Sequence, residues 1–440
     1  MKLGAISLGC DKNRVDTERL LGFAVEAGHR IVNDINEAEA VVVNTCAFLQ
    51  SAVRESLDAI FEARSHANVK YLIVAGCLPM RYLKELTASD GLKEADALID
   101  NSCYDRIGEV LSRLERGEKV VLTAVQGGKE SSERVVTTPY HYAYLKISDG
   151  CDNHCTFCAI PGIRGAYKST PVESLVKEAG ALIDQGVKEL ILVAQDVTRY
   201  GVDLYGEPRL ITLLKALIAL PVEKIRLLYC YPDMCTDELI DFIDKEPKIA
   251  KYIDMPMQHA ADGVLKRMNR RDTRNSLLDR IAYIRSKKSN IAIRSTFMVG
   301  FPQETEEEFE SLLSFLKETR LDNVGFFSYS KEEGTPAARM KGQIPQSVKK
   351  QRLKKAESLQ SAIAEEKANA AVGTVMTVTY DGIDYDKQAF YGHTERLCPD
   401  VDAKVYFTSK QPIEIGESYP VLIKKTKKLN LYGQVVRDKQ

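Results

Sequence analysis

No apolar run in this 440-residue chain approaches the roughly 18 residues that a membrane span needs. The opening MKLGAISLGCDKN lacks the apolar stretch of a secretory leader. No charge of one sign dominates: Lys plus Arg number 61, Asp plus Glu 62, and the formal net charge is −1. Proteins that hold nucleic acid chiefly through phosphates carry a basic excess, so that class is disfavoured, although a local patch would suffice for RNA. Pro and Gly are spread along the chain, with no long tract that would stay disordered. These absences predict a soluble, cytoplasmic protein with no membrane partner. Its length allows two or three domains, each large enough for a core.

The first part of the chain alternates strands and helices. LGAISLG, AVVVNT and YLIVAG read as strands, and helices are predicted over Val15–Glu26, Ala52–Arg64, Arg81–Leu86 and Tyr104–Arg116. That pattern predicts an α/β fold with a parallel sheet in residues 1–125. A polar stretch, Gln126–Arg134, reads as a linker. A second alternation has candidate strands at Ala143–Ile147, Glu189–Ala194, Lys224–Tyr229, Tyr252–Met255, Ile291–Met298 and Asn323–Phe327. Six such units, closed by a charged helix over Gln346–Ala370, predict a (β/α)6 partial barrel in residues 135–370. From 373 to 440 short β-type runs (TVMTVTYDGID, AFYGHT, KVYFTS, YPVLIKK) predict a small all-β barrel.

Ten cysteines in a cytosolic chain point to metal or redox chemistry rather than disulfides. Cys151, Cys155 and Cys158 form CxxxCxxC just after the first strand of the second alternation. Three thiolates from one tight loop can ligate three irons of a 4Fe–4S cube and leave the fourth open. A zinc loop is the alternative, but structural zinc asks for four protein ligands, and His154 sits awkwardly between two cysteines. Cys10, Cys46 and Cys77 end the runs ISLGC, VVVNTC and LIVAGC. Each falls where a strand gives way to a loop, and parallel strands share that edge, so three distant thiols are predicted to converge on a second cluster. Buried cysteines are also ordinary packing residues, and Cys103, Cys230, Cys235 and Cys398 are read that way.

These segments carry a resemblance. The loop trio resembles that of the radical S-adenosylmethionine (SAM) superfamily. LGCDKNRVDTE, NTCAFLQSAVRES, AGCLPMRY, LILVAQDVTRYG, MPMQHA, LKRMNRRDT and STFMVGFPQETEEEF together resemble the methylthiotransferases over essentially the whole chain. The last unit looks like their TRAM domain. Asp11–Lys12–Asn13 and CAIPGIRGAYKS look more like the RimO-type branch than the tRNA-modifying one. The resemblance implies two 4Fe–4S clusters and two equivalents of SAM per turnover. It implies as substrate an aspartate of ribosomal protein uS12, free or in the small subunit, with a reductant such as flavodoxin or ferredoxin and a sulfur donor. The cluster at Cys151, Cys155 and Cys158 would generate the radical that takes hydrogen from the β-carbon, and the cluster at Cys10, Cys46 and Cys77 would present sulfur. Acid–base chemistry cannot activate that carbon, which is why a cofactor must.

Within SAM, the resemblance places Phe157 beside the adenine and the strand end of Gln195 and Asp196 at the amino group; Gln258, ending the fourth strand, is a candidate for the ribose and Arg294, on the fifth, for the carboxylate, with a plain structural role at a strand end as the alternative for these last four. His393, Cys398 and Thr170 depart from the family's pattern at positions that concern the partner. Residues 373–440 hold ten Lys/Arg against nine Asp/Glu, so this unit is no basic RNA clamp. Asp381, Asp384, Asp386, Asp400 and Asp402 are candidates to face a basic ribosomal protein, or are solvated turn residues. A tRNA methylthiotransferase and a non-catalytic iron–sulfur protein remain as other readings.

Overall fold

The structure is a computed structural model and describes residues 1–123 and 134–436. The expected linker, Gln126–Arg134, lies outside the described residues except for Arg134. That residue is no linker: it is buried, and its guanidinium pairs with Glu18 at 2.5 Å and Glu178 at 3.0 Å.

Six parallel strands form the first sheet: β1 (Lys2–Ser7), β2 (Arg30–Ile31), β3 (Ala40–Thr45), β4 (Tyr71–Gly76), β5 (Ala97–Ile99) and β6 (Val120–Leu122). Their order is β2-β1-β3-β4-β5-β6. AVVVNT is buried along its whole length because helices cover both faces. Ala40 and Val42 point to one side, against Leu20 and Leu21 of helix α1 (Asp11–Glu26) and Val110 of helix α4 (Ile107–Glu115). Val41 and Val43 point to the other, against Ile60 of helix α2 (Gln50–Ser65) and Leu78 of helix α3 (Cys77–Leu86). Both α1 and α3 begin earlier than their apolar periodicity suggests, because each starts at the cysteine-bearing turn.

The second sheet is also parallel and six-stranded: β7 (Tyr142–Lys146), β10 (Glu189–Val193), β11 (Lys224–Leu227), β12 (Ile249–Asp254), β13 (Ala292–Val299) and β14 (Asn323–Ser328), in the order β14-β13-β12-β11-β10-β7. A two-strand ribbon, β8 (Ser148–Asp149) and β9 (Lys168–Ser169), brackets the cysteine loop. The sheet is an open, partial barrel. Its outward side chains, such as Leu145, Leu190, Leu227 and Ile293, pack on the surrounding helices. Its inward ones, including Tyr142, Tyr144, Val193 and Tyr252, meet Val15 of α1 and Cys398 and Val401 of the last unit.

That last unit is a closed barrel of β15 (Val375–Asp384), β16 (Ala389–His393), β17 (Val405–Thr408), β18 (Ser418–Lys427) and β19 (Asn430–Val435). The sequence pattern suggested four runs; the fifth, NLYGQV, is interrupted by Gly433 and closes the barrel by pairing parallel to β17. The chain between β16 and β17 reaches into the open side of the second sheet. Asp400 accepts from Tyr142 Oη at 2.7 Å and from Arg14 at 3.1 Å, and Asp402 accepts from Tyr252 Oη at 2.8 Å. Among the described residues, no helix is long and apolar enough to cross a membrane.

Candidate active site

β1, β3 and β4 are neighbours in register, Ser7 beside Asn44 and Thr45 beside Gly76. Cys10, Cys46 and Cys77 therefore follow three adjacent strands at one edge: Cys10 caps α1, Cys46 directly follows β3, and Cys77 opens α3. Gly9 lets the first two turns meet. At φ +88°, a Cβ there would lie 2.7 Å from Cys46 Cβ. Asn13 stitches the turns together, its Nδ2 donating to Leu8 O and Thr45 O, both at 2.9 Å, while its Oδ1 lies 3.7 Å from Cys77 Sγ. Burial raises the Cys46 thiol, with a smaller push from Cys10, and carries Cys77 up to about 12, with smaller pushes from Cys10 and Cys46. Such thiols keep their protons at neutral pH until a metal displaces them.

Cys151, Cys155 and Cys158 lie in the loop after β8. Gly150 at φ +75° permits this turn, since a Cβ would lie 2.1 Å from Ala166 O. Thr156 anchors the loop, its N–H to Met268 O at 3.0 Å and its Oγ1 to Arg267 O at 2.8 Å. Burial lifts Cys151 to about 11, helped by Cys155, and Cys158 to about 12, helped by Cys155 and Cys151. Cys155 Sγ is 2.9 Å from Tyr231 Oη, and the Arg270 guanidinium stacks 4.0 Å from that ring's centroid. His154 is exposed at φ +50°, turned out as a loop residue. Among the described residues, no three His, Cys, Asp or Glu side chains close as tightly as a single metal ion demands. The donor chemistry of each trio, three cysteines outside any disulfide, suits a cube whose thiolates sit on separate irons.

The two trios share a buried ionic junction. Arg164, 2% exposed at its side chain, donates from Nη1 to both oxygens of Asp149 at 3.0 Å. Its Nη2 reaches Asn13 Oδ1 at 2.5 Å, Asp16 at 2.9 Å and Cys77 Sγ at 3.8 Å. Lys146 pairs with Asp16 and, at 2.8 Å, with Asp149. A second tie is Arg81, which pairs with Glu332 at 3.2 Å and donates to Ala47 O at 2.6 Å. Glu332 also accepts from the backbone N–H of Gln50 at 3.1 Å, so the Cys46 loop is held to the segment after β14. Asn13, Arg81 and Arg164 stand inside the motifs quoted above, but their spatial role was not legible there; Glu332 gave no signal.

The SAM residues expected from the sequence divide. Gln195 donates to Asp149 at 3.2 Å and Gln258 stands at φ +70° beside Phe297; each keeps a buried Oε1 with no partner among the described residues. Those two orphaned acceptors at the strand ends fit a ligand that brings donors, as SAM does with its ammonium and hydroxyls. Phe157 packs against the apolar cluster that includes Met298, Phe301 and Tyr329. Asp196 holds its own turn and the cysteine loop together, accepting from Thr198 N–H at 3.0 Å and Thr198 Oγ1 at 2.5 Å and, across to the cysteine loop, from Asn153 Nδ2 at 2.9 Å. Arg294 stands early in β13 rather than at its end; register puts it beside Asp254, which it meets at 2.8 Å, with Asp402 at 3.5 Å. Cys103, Cys230, Cys235 and Cys398 are buried in apolar clusters. A cavity of about 620 Å³ lies elsewhere, among Lys188, Lys367 and Thr394, and its walls pair with one another, as Lys367 does with Asp322 at 2.8 Å.

Comparison with known proteins bears on this geometry. Residues 145–316 match the Radical SAM superfamily, 2–100 the family described as Uncharacterized protein family UPF0004, and 372–436 the TRAM domain. A ribosomal protein uS12 methylthiotransferase RimO of Lachnoclostridium phytofermentans is 43% identical, covering 98% of this chain and 99% of the relative. The enzyme of that name from Desulforudis audaxviator is 44% identical, covering 94% and 92%. Among solved structures, the radical SAM methyltransferase TsrM from Kitasatospora setae, with tryptophan and a SAM analogue, aligns at a TM-score of 0.56 and 13% identity over 87% of this chain and 78% of its own. The cobalamin-dependent radical SAM enzyme OxsB aligns at 0.51 and 13%, over 82% and 56%. These two likenesses concern the fold alone. Identity sustained from end to end, through three matched units, leads to one conclusion: this chain belongs to the RimO family of radical SAM methylthiotransferases.

Proposed function

We propose that this protein methylthiolates the β-carbon of an aspartate in ribosomal protein uS12, using two 4Fe–4S clusters and two equivalents of SAM. As a radical SAM enzyme it works with a 4Fe–4S cluster and SAM. The second cluster, the uS12 substrate, a flavodoxin- or ferredoxin-like reductant, a sulfur donor and a cytoplasmic setting are parts of the proposal. The observation that carries it is the second cysteine trio, Cys10, Cys46 and Cys77, joined through Arg164 to the segment that leads into the first. The relatives' names supply the substrate.

In this reading Cys151, Cys155 and Cys158 hold the cluster that meets SAM, while Cys10, Cys46 and Cys77 hold the one that presents sulfur. When bound, these groups supply the electron, the carbon radical that removes hydrogen, and the methylated sulfur. The chain's own task is position. Gln195 and Gln258 offer acceptors to SAM, Phe157 supports its adenine, and Arg294 lies near its carboxylate. Asp196 shapes the loop that presents Gln195. Arg164, Asp16, Asp149 and Lys146 fix one trio relative to the other, and small displacements between reacting groups cost rate steeply.

The test is an anaerobic reaction of reconstituted protein with reductant, SAM and sulfide, offered either a uS12 peptide or tRNA. The expected result is a peptide mass gain corresponding to SCH₃ in place of H. The same gain on tRNA alone would sink the reading.

A further inference from the structure

Lys12 is 6% exposed and stands in the first turn of α1, two residues after Cys10. Its ammonium sits 3.3 Å from the centroid of the Tyr229 ring. Among the described residues, that ring is its one partner; no carboxylate pairs with it and no acceptor takes its protons. The carboxylates of this region are committed elsewhere. Asp16 and Asp149 hold Lys146 and Arg164, Asp254 holds Arg294 and the Tyr229 N–H, and Asp11 accepts from Tyr229 Oη at 3.2 Å. Its Nζ is not among the polar atoms sealed from solvent, so an incoming anion can reach it, and the aromatic face beside it supplies no counter-charge.

The position is as informative as the vacancy in charge. Tyr229 follows β11 and lies within electrostatic reach of both Cys10 and Arg294. The ammonium thus stands between the second trio and the strand ends of the partial barrel.

We infer that Lys12 receives the side-chain carboxylate of the substrate aspartate and so fixes the carbon that accepts sulfur. This rests on the function proposed above. The β-carbon of aspartate is bonded directly to the carboxylate carbon, so a group that holds one places the other. The methionyl end of SAM is also a carboxylate, but Lys12 belongs to the Cys10 turn, on the sulfur-presenting side, where the substrate carbon must come. An ion pair closed in this buried place would be strong and selective, because a neutral amide of the same shape leaves the ammonium uncompensated.

The experiment uses the reconstituted enzyme and a fluorescein-labelled peptide spanning the uS12 aspartate, with a second peptide carrying Asn at that residue. Binding is read by anisotropy without SAM, and SAM affinity is measured separately. The wild-type enzyme should prefer the Asp peptide by about 100-fold. Lys12→Gln should bring that ratio close to one, and Lys12→Arg should keep most of it. A wild-type enzyme that binds both peptides equally, or a Lys12→Gln protein that retains the preference, overturns the inference while leaving the function standing. So does a Lys12→Gln protein that loses SAM affinity with its peptide preference intact. A wild-type enzyme that ignores both peptides overturns the proposed function and this inference together.

Discussion

Arg164 grips Asp149 with a single nitrogen placed 3.0 Å from each carboxylate oxygen, two residues ahead of Cys151. With its other nitrogen it holds Asp16 and Asn13 on α1. Removing one member of a buried ionic set strands the rest. Arg164→Met should therefore cost about 3–5 kcal/mol of stability, read from denaturant unfolding of the apoprotein. A loss under about 1 kcal/mol would mean that Lys146 alone neutralises both carboxylates.

Gly9→Ala should act on one trio only. The new methyl would press on Cys46 in a backbone conformation that alanine resists. Iron per chain in anaerobically reconstituted protein should fall from about eight to about four, with the cluster at the Cys151 loop retained. Eight irons in the variant would show that the turns meet without this glycine.

His393 gives the protein a pH dependence on the alkaline side. Burial alone would lower its pKa, but Glu189 at 3.0 Å and Asp381 at 2.8 Å outweigh that and carry it up to about 9. A folded value above the unfolded one of about 6.5 means full stabilisation below pH 6.5, lost as pH rises through about 9. The contribution is up to about 3 kcal/mol. Unfolding free energies measured from pH 6.5 to 9.5 should decline in the wild type and decline less in His393→Gln. Glu189, held well below its ordinary value despite burial by Arg226 and His393, works in the opposite window and weakens the fold only in acid.

Glu332→Gln should loosen the Cys46 loop without touching any cysteine. Arg81 would keep its carbonyl partners and lose its counter-charge. The amount of methylthiolated product per 5′-deoxyadenosine formed should fall, by up to about 100-fold if the loop shifts by an ångström. An unchanged ratio would make the pair a purely structural tie.

How far this was visible beforehand depends on what each residue answers to. AVVVNT and YLIVAG are buried on both faces, so their runs are continuous and their ends, with Cys46 and Cys77, could be located. β5 and β6, three residues each, leave too short a pattern to detect. Arg134 looked like linker because its partners, Glu18 and Glu178, are distant in sequence. Asp196 stood at the expected strand end, but its hydrogen bonds to Thr198 and, across to the cysteine loop, to Asn153 depend on residues that strand periodicity does not place. Lys12 was legible as a letter of a motif. That it lies over Tyr229 is a fact of three-dimensional packing, which local periodicity does not encode.

The stretch between β16 and β17 acts as a stopper for the half-open barrel, with Cys398 and Val401 seated among tyrosines of β7 and β12. Pulled out, it would wet that lining and leave the hydroxyls of Tyr142 and Tyr252 without their aspartates. The carboxy-terminal module is thus no interchangeable accessory. A graft from another enzyme would need a matching plug, and a truncation before residue 373 would cost the central sheet part of its own interior.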